Sequence, residues 1–198
     1  AQLAYHRHCG GDPDTFLYRS AKIQNIQART REEVEASDFT QWCRPYIKDL
    51  LERHRPRAVG ISVFTYISNL AAYIIARVVR ELAPADTKIF IGGYGAATPL
   101  RFAKELGAPE RDTVAETLVA EGSIDSYILG DGEEALVEYM KNLDNANPEK
   151  INRISGFDNV PYPDYSDLEL DGYAYTNGLT LPVTGSKGCV RRCTFCDI

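Results

Sequence analysis

The chain has 198 residues, of which 44% are hydrophobic, and a formal net charge of -6 at pH 7. This length and apolar content can support a well-packed domain with a further segment attached. The negative charge argues against a nucleic-acid-binding surface. No apolar run approaches the roughly 18 residues that a membrane-spanning helix needs. We therefore expect a soluble, cytoplasmic protein without nucleic-acid or membrane partners, and three clustered cysteines suit a reducing compartment.

The N-terminal part combines a short apolar run with a polar loop. Residues 1–5 could form an opening strand, and residues 6–13 follow as a glycine-rich loop with two histidines. Residues 14–37 give no clear pattern. A helix is expected over residues 39–53, with Ser37 or Asp38 as its N-cap and apolar residues at helical spacing. Pro56 ends it.

Strands and helices then alternate along the chain up to about residue 143. The pattern predicts strands at residues 57–64, 88–91 and 124–129, and helices at residues 69–82, 99–106, 113–119 and from about 130 to 143. Buried, β-rich runs separated by helices are typical of a parallel sheet covered on both faces. The fold class predicted for residues 1–145 is therefore α/β, a doubly wound, flavodoxin- or Rossmann-like sheet with its ligand crevice at the carboxyl ends of the strands.

Composition changes after residue 145, where prolines, tyrosines and aspartates become frequent. Residues 146–178 are interpreted as a connector, with a possible short strand at residues 151–156 and tyrosines that pack between domains. Residues 179–185 are expected to form a strand that leads into a cysteine-rich loop. Residues 179–198 would then begin a second domain.

Three of the five cysteines, Cys189, Cys193 and Cys196, lie within eight residues in a C-x3-C-x2-C spacing. Thiolates this close in sequence can converge on one soft metal. A structural zinc ion needs four protein ligands, so this triplet is one short unless Asp197, His6, His8 or His54 completes it. A 4Fe-4S cluster held by three thiolates keeps one iron open to another ligand. A dithiol pair of Cys193 and Cys196 is a third reading, which leaves Cys189 unexplained.

The triplet, with the aromatic Phe195 before its last cysteine, resembles the signature of radical S-adenosylmethionine (radical SAM) enzymes. The resemblance implies that the open iron binds S-adenosylmethionine and that one electron, from a flavodoxin- or ferredoxin-type donor, cleaves it to a 5'-deoxyadenosyl radical. It places Phe195 near the adenine. It also implies a (β/α) barrel after the first cysteine. Because this barrel would lie beyond residue 198, and because the chain begins with Ala1 rather than Met, we expect the chain to be the N-terminal part of a longer enzyme and to be inactive by itself.

The glycine-rich loops after the predicted strands do not match phosphate-binding motifs. The G-x-G of Gly93 and Gly95 lacks the third glycine of a dinucleotide fingerprint. Glu133 and Glu134 follow Gly132 at a predicted helix start, where carboxylates repel a phosphate. These glycines instead permit close backbone approach by a large, flat or extended group.

The order V-G-I-S (residues 59–62), then Gly92 and Gly93, then G-D-G-E (residues 130–133) resembles the cobalamin-binding domains that precede many radical SAM domains. The resemblance covers about residues 55–140. It implies that five residues line the slot for the cofactor's nucleotide tail: Ser62, Gly92, Gly93, Gly130 and Gly132.

His8 is a candidate cobalt ligand within that resemblance. Base-off, His-on cobalamin domains carry D-x-H-x-x-G, and this chain keeps His8 and Gly11 but has His6 in place of the aspartate. A carboxylate there would orient the ligating imidazole. The alternatives are cobalamin bound without a protein histidine and a degenerate domain that binds none.

The function expected from both resemblances is cobalamin-linked methyl transfer, or a radical rearrangement, on a small molecule or natural-product precursor. The alternative class is a non-catalytic, flavodoxin-like module that holds a corrinoid or nucleotide, with the cysteines as a zinc or redox clip.

Overall fold

The structure is a computed structural model that describes residues 30–100, 104–107, 112–130, 132–143, 149–152, 164 and 166. Its regular elements are, in chain order, α1 (Arg31–Ala36), α2 (Asp38–His54), β1 (Ala58–Ser62), a 3-10 turn (Tyr66–Ser68), α3 (Asn69–Leu82), β2 (Lys88–Gly92), a 3-10 turn (Tyr94–Ala97), α4 (Val114–Ala120), β3 (Ser126–Gly130), α5 (Glu133–Lys141) and β4 (Glu149–Asn152).

The chain divides into two compact units, Ala1–Tyr162 and Pro163–Ile198. All of the described helices and strands belong to the first unit. In the second, the Ser166 N–H donates to a carboxylate oxygen of Asp164 over 2.9 Å.

The four strands form one parallel sheet in the order β1-β2-β3-β4. The pairing register places Ser62 beside Gly92, Gly92 beside Ile128, and Gly130 beside Asn152. Because all strands run the same way, their last residues lie at one edge of the sheet, which is called here the carboxyl edge.

Helices pack on both faces of this sheet. Ile89, Ile91 and Tyr127 belong to a core that also contains apolar side chains of α1, α2, α3 and α4. On the opposite face, Phe90 and Ile128 pack with residues of α5. Apolar residues on both sides of a strand need cover on both sides, which explains this layered arrangement. The first unit is therefore an α/β domain with a parallel open sheet, consistent with a Rossmann-like fold.

Local sequence signals set the helix starts. Thr30 and Glu33 form a reciprocal capping box at α1, and Thr113 and Glu116 form another at α4. Such boxes satisfy backbone N–H groups that have no partner within the helix. Arg55, the C-cap residue that follows α2, adopts the left-handed conformation (φ 43°).

Most of the predicted elements within the described residues are confirmed. α2, α3 and α4, the first three strands, and α5 lie within a few residues of the predicted bounds. The helix predicted at residues 99–106 is wrong where it is described, because Pro99 forms a bridge with Thr113 and residues 104–107 form a turn. α1 was missed, although its T-x-x-E capping box was visible in the sequence. The strand predicted at residues 151–156 corresponds to β4, which begins at Glu149.

Other predicted segments, at residues 1–5, 6–13 and 179–198, lie outside the described residues. None of the described helices combines the length and apolar character that crossing a membrane requires.

Candidate functional site at the carboxyl edge of the sheet

The five residues predicted to line a cofactor slot all lie at the carboxyl edge. Ser62, Gly92 and Gly130 are the last residues of β1, β2 and β3. Gly93 follows β2 directly, and Gly132 is the N-cap of α5. Ser62 and Gly130 are exposed, and the other three are partly exposed. The structure thus places these five residues at one edge of the sheet, and their contact with a cofactor stays a prediction.

The loops that follow β1 and β2 are bonded to each other through their backbones. The Val63 N–H donates to the Gly92 carbonyl over 2.8 Å, and the Gly95 N–H donates to the Val63 carbonyl over 2.8 Å. Val63 is 1% exposed, so these bonds are shielded from water on that side. The two loops therefore form one connected surface rather than two independent segments.

Glycine is required at Gly93 and Gly95 by this loop packing. Gly93 has φ 92°, and a Cβ there would lie 2.6 Å from the Val63 carbonyl oxygen. A Cβ on Gly95 would lie 2.4 Å from the Thr65 carbonyl oxygen. Both distances are too short for a side chain next to backbone atoms. The glycines at these positions are therefore explained by the approach of the two loops, with or without a ligand.

The glycines that follow β3 differ from each other. Gly130 has φ 85°, a conformation that L-residues rarely adopt. Gly132 has φ -92°, and its nearest neighbour for an added Cβ is the Ile128 Cγ2 at 3.7 Å, an ordinary contact. The fold therefore explains Gly130 but leaves Gly132 without a local reason to be glycine.

Three aromatic side chains lie on the two bonded loops and are largely exposed: Phe64 (84%), Tyr66 (63%) and Tyr94 (60%). We call these three residues the aromatic ledge. Large apolar rings are normally buried, so several exposed rings on neighbouring loops indicate a binding surface. Sequence reasoning missed them, although aromatic residues next to glycine loops at strand ends were a visible signal.

Asn69 fixes the start of α3 next to the ledge. Its side chain, 2% exposed, donates through Nδ2 to the Pro99 carbonyl over 2.7 Å. This bond joins Asn69, at the end of the loop that follows β1, to Pro99, which lies two residues after the second 3-10 turn. Asn69 therefore helps to hold the two loops together, a role that the sequence did not indicate.

The acidic residues that begin α5 are exposed in the structure. Glu133 and Glu134 lie in its first turn, close to Gly130 and Gly132. Carboxylates at a helix N-terminus compete with an anionic ligand for the same backbone N–H groups. This end of the carboxyl edge is therefore poorly suited to a phosphate.

Cys189, Cys193, Cys196, Phe195, His6, His8 and Asp197 all lie outside the described residues. His54 is described, and it lies exposed at the last position of α2, just before β1 begins, so it is at the end of the sheet opposite the carboxyl edge. Within the described residues there is no group of three or more His, Cys, Asp or Glu side chains that could hold a metal ion.

No family model, curated protein or solved structure matches the chain.

Proposed function

We propose that the chain is the N-terminal part of a radical SAM enzyme whose α/β domain binds a corrinoid across the carboxyl edge. The observation that supports the corrinoid site is the aromatic ledge, because three exposed rings on connected loops offer an apolar surface to a large, flat ligand. Aromatic rings contribute large contact areas at low conformational cost. Open ends of parallel strands are also the usual ligand site of such sheets.

The described residues fit a bulky, extended group better than a phosphate. The loops after β1 and β2 are held together by backbone hydrogen bonds and by glycines packed against Val63 and Thr65. The backbone that carries the rings of the aromatic ledge is therefore fixed in position. Ser62 is exposed at the end of β1 and can donate or accept a hydrogen bond. At the other end of the edge, Gly132 leaves room beside Ile128. This pattern combines apolar contact area with a few polar groups, as is common in cofactor sites.

The proposed iron-sulfur site depends on the cysteine spacing alone. Cys189, Cys193 and Cys196 would hold a 4Fe-4S cluster, which when loaded supplies the electron for reductive cleavage of S-adenosylmethionine. Phe195 would pack near the adenine of that cofactor. An external flavodoxin- or ferredoxin-type protein would reduce the cluster, and a small molecule would be the substrate. With a corrinoid bound, the reaction class is methyl transfer; without it, hydrogen abstraction leading to rearrangement.

The test is anaerobic reconstitution of the complete gene product with iron, sulfide and hydroxocobalamin, followed by desalting, metal and sulfide analysis and a visible spectrum. About four irons per chain with matching sulfide, together with retained corrinoid absorption, is the expected result. Iron without corrinoid would leave the radical reaction but remove the corrinoid site. Zinc without sulfide would overturn the radical SAM proposal and favour the non-catalytic module with a zinc clip.

Variants of the ledge locate the corrinoid within the domain. Tyr94→Ala and Phe64→Ala should each weaken hydroxocobalamin retention by about tenfold, since one aromatic contact contributes roughly 0.5–1.5 kcal/mol beyond its buried area. Val137→Ala is the matched control, because Val137 on α5 is 53% exposed and lies outside the ledge. If Tyr94→Ala and Phe64→Ala retain as much hydroxocobalamin as the Val137→Ala control, the corrinoid does not bind at the aromatic ledge.

A further inference from the structure

Charged side chains from four helical segments form one connected network of ion pairs. It contains three arginines and three glutamates that alternate in sign, in the order Arg31, Glu121, Arg77, Glu35, Arg44 and Glu81. α1, α2 and α3 carry five of these residues, and Glu121 is the C-cap residue of α4. We call these six residues the ion-pair network. It joins α1 to three other elements of the domain.

Glu121 is the point at which α1 meets α3 within this network. Its side chain is 15% exposed and accepts from Nη2 of Arg31 over 2.8 Å and from Nη1 of Arg77 over 3.2 Å. The hydroxyl of Tyr73, a residue that is 0% exposed, lies 3.1 Å from each carboxylate oxygen. The Arg31 side chain is 55% exposed, and its Nε also donates to the Leu106 carbonyl over 3.1 Å. An accessible cation of α1 therefore covers a carboxylate that is largely shielded from water.

α1 has little apolar contact with the domain. Val34 is the only buried residue among its six. Other polar links to this helix run through Glu35, which accepts from Arg44 over 2.6 Å, and through the Thr40 hydroxyl, which donates to the Val34 carbonyl over 2.5 Å. Segments with few buried apolar contacts open locally at a low cost in free energy. The position of α1 therefore depends mainly on polar and charged contacts.

The link between Glu35 of α1 and Arg77 of α3 is only half made. One carboxylate oxygen of Glu35 accepts from Nη2 of Arg77 over 3.4 Å, and the other accepts from Arg44 over 2.6 Å. The Nε of Arg77, which lies on the same side of the guanidinium as Nη2, is buried and has no hydrogen-bond partner in the part of the chain that the structure describes. Two-point pairing of an arginine with one carboxylate is stronger, and a buried donor without a partner costs free energy. The attachment of α1 is therefore weaker than its number of ion pairs suggests.

Release of α1 would leave each remaining charge of the ion-pair network with a partner of opposite sign. Glu121 would keep its ion pair with Arg77 and its bond from Tyr73. Arg44 would keep its ion pair with Glu81. Breaking a buried ion pair is costly when it leaves a charge uncompensated, and that cost does not arise here. The network therefore permits two states of the domain, with α1 attached or released.

We propose that α1 is a strap that opens and closes on a domain that stays folded, and that ionic strength sets the balance between the two states. Opening breaks the ion pairs that Arg31 and Glu35 make with the other elements and removes Val34 from the core. It also exposes the Glu121 carboxylate to solvent ions. Because exposed ion pairs weaken as salt rises, the open state gains population at high ionic strength. The inference depends neither on the corrinoid nor on the cluster.

Amide hydrogen exchange of the full chain, followed by NMR without added iron or corrinoid, tests the strap at two salt concentrations. The amides of Val34 and Ser37 donate to the carbonyls of Thr30 and Val34 and report on α1. Between about 0.01 M and about 1 M salt, the Debye length falls from about 30 Å to about 3 Å, so these amides should exchange about fivefold faster at the higher concentration. The amides of Ile74 and Val78 on α3 should keep their rates. Equal rates for α1 and α3, or α1 rates that do not respond to salt, would overturn the inference.

Arg31→Met identifies the contact that holds the strap. The substitution removes the charge but keeps an unbranched side chain that suits a helix, so the α1 amides should exchange about threefold faster at low salt and respond less to added salt. Arg53→Met is the matched control, because the Arg53 side chain is 58% exposed and pairs with Asp49 outside the ion-pair network. Both variants lose one positive charge. If Arg53→Met accelerates α1 exchange as much as Arg31→Met does, or if Arg31→Met leaves it unchanged, the inference is overturned.

Discussion

Single residues at the carboxyl edge determine how the two loops can approach each other, and Gly95 is the most constrained. Replacing Gly95 with alanine would place a Cβ 2.4 Å from the Thr65 carbonyl oxygen and 2.6 Å from the Val63 Cγ1. Relief of that overlap requires a backbone shift, so Gly95→Ala should lower the free energy of unfolding by about 1–3 kcal/mol. Urea unfolding monitored by the fluorescence of Trp42, the single tryptophan, measures this change.

Gly132→Ala is the matched control for Gly95→Ala. Its Cβ would make an ordinary contact with Ile128 at 3.7 Å, and its φ of -92° suits alanine. The change in unfolding free energy should stay below about 1 kcal/mol. Equal destabilisation by the two variants would contradict the close packing of the loops. Because Gly132 has no structural requirement for glycine, Gly132→Ala also tests whether that residue contacts the corrinoid.

Burial of the Cys43 thiol changes the pH at which it loses its proton. Its side chain is 1% exposed within α2, and burial raises the pKa of its thiol from 9.0 to about 12. Between these values the folded chain keeps a proton that the unfolded chain loses. The folded form therefore binds more protons, and the free energy of unfolding falls as pH rises, by up to about 1.4 kcal/mol per pH unit.

Cys43→Ala removes this contribution. The variant should be less stable than the natural chain at about pH 8, because it leaves a small cavity, and the difference should shrink by about 1–2 kcal/mol at about pH 10.5. Urea unfolding at both pH values measures it, and the comparison cancels other titrating groups that the two chains share. A constant difference across the range would show that the Cys43 thiol titrates normally in the folded state.

At the scale of elements, hydrophobic patterning predicted the domain well where each segment buries a complete face. α3 was predicted from end to end, because its apolar residues follow helical spacing over 14 residues. The first three strands were recognised because parallel strands covered on both faces are continuous apolar runs. Short elements were harder: α1 has six residues and only Val34 is buried, so its capping box was its main signal.

The candidate site, like the elements, was predicted in part from the sequence. The chain order of strands and glycine loops was sufficient to place Ser62, Gly92 and Gly130 at one edge, because parallel strands end together. The aromatic ledge and the role of Asn69 depend on contacts between residues far apart in sequence, such as Asn69 with Pro99. The helix prediction at residues 99–106 was wrong for a related reason, because Pro99 pairs with Thr113, a partner that local patterning does not reveal.

At the scale of the whole molecule, the proposed function assigns corrinoid binding to the sheet domain and iron-sulfur cluster binding to the cysteine triplet. The triplet lies in the second compact unit, and all of the described core lies in the first. Cys193→Ala should therefore abolish iron and sulfide incorporation during reconstitution, because a cluster with two remaining thiolates lacks sufficient ligands. Its urea unfolding, followed by Trp42 fluorescence, should match that of the natural chain.

Cys9→Ala is the matched control for Cys193→Ala, since Cys9 lies outside the triplet and should leave iron content unchanged. Loss of iron in both variants would show that ligands come from beyond the C-x3-C-x2-C sequence. A shift of the Trp42 transition in Cys193→Ala would contradict the two-part division, because Trp42 packs on α2 against Phe39 and Tyr46, within the first unit. An unchanged transition with lost iron would mean that the sheet domain folds without the cluster, so corrinoid retention could be measured in that variant independently of the radical chemistry.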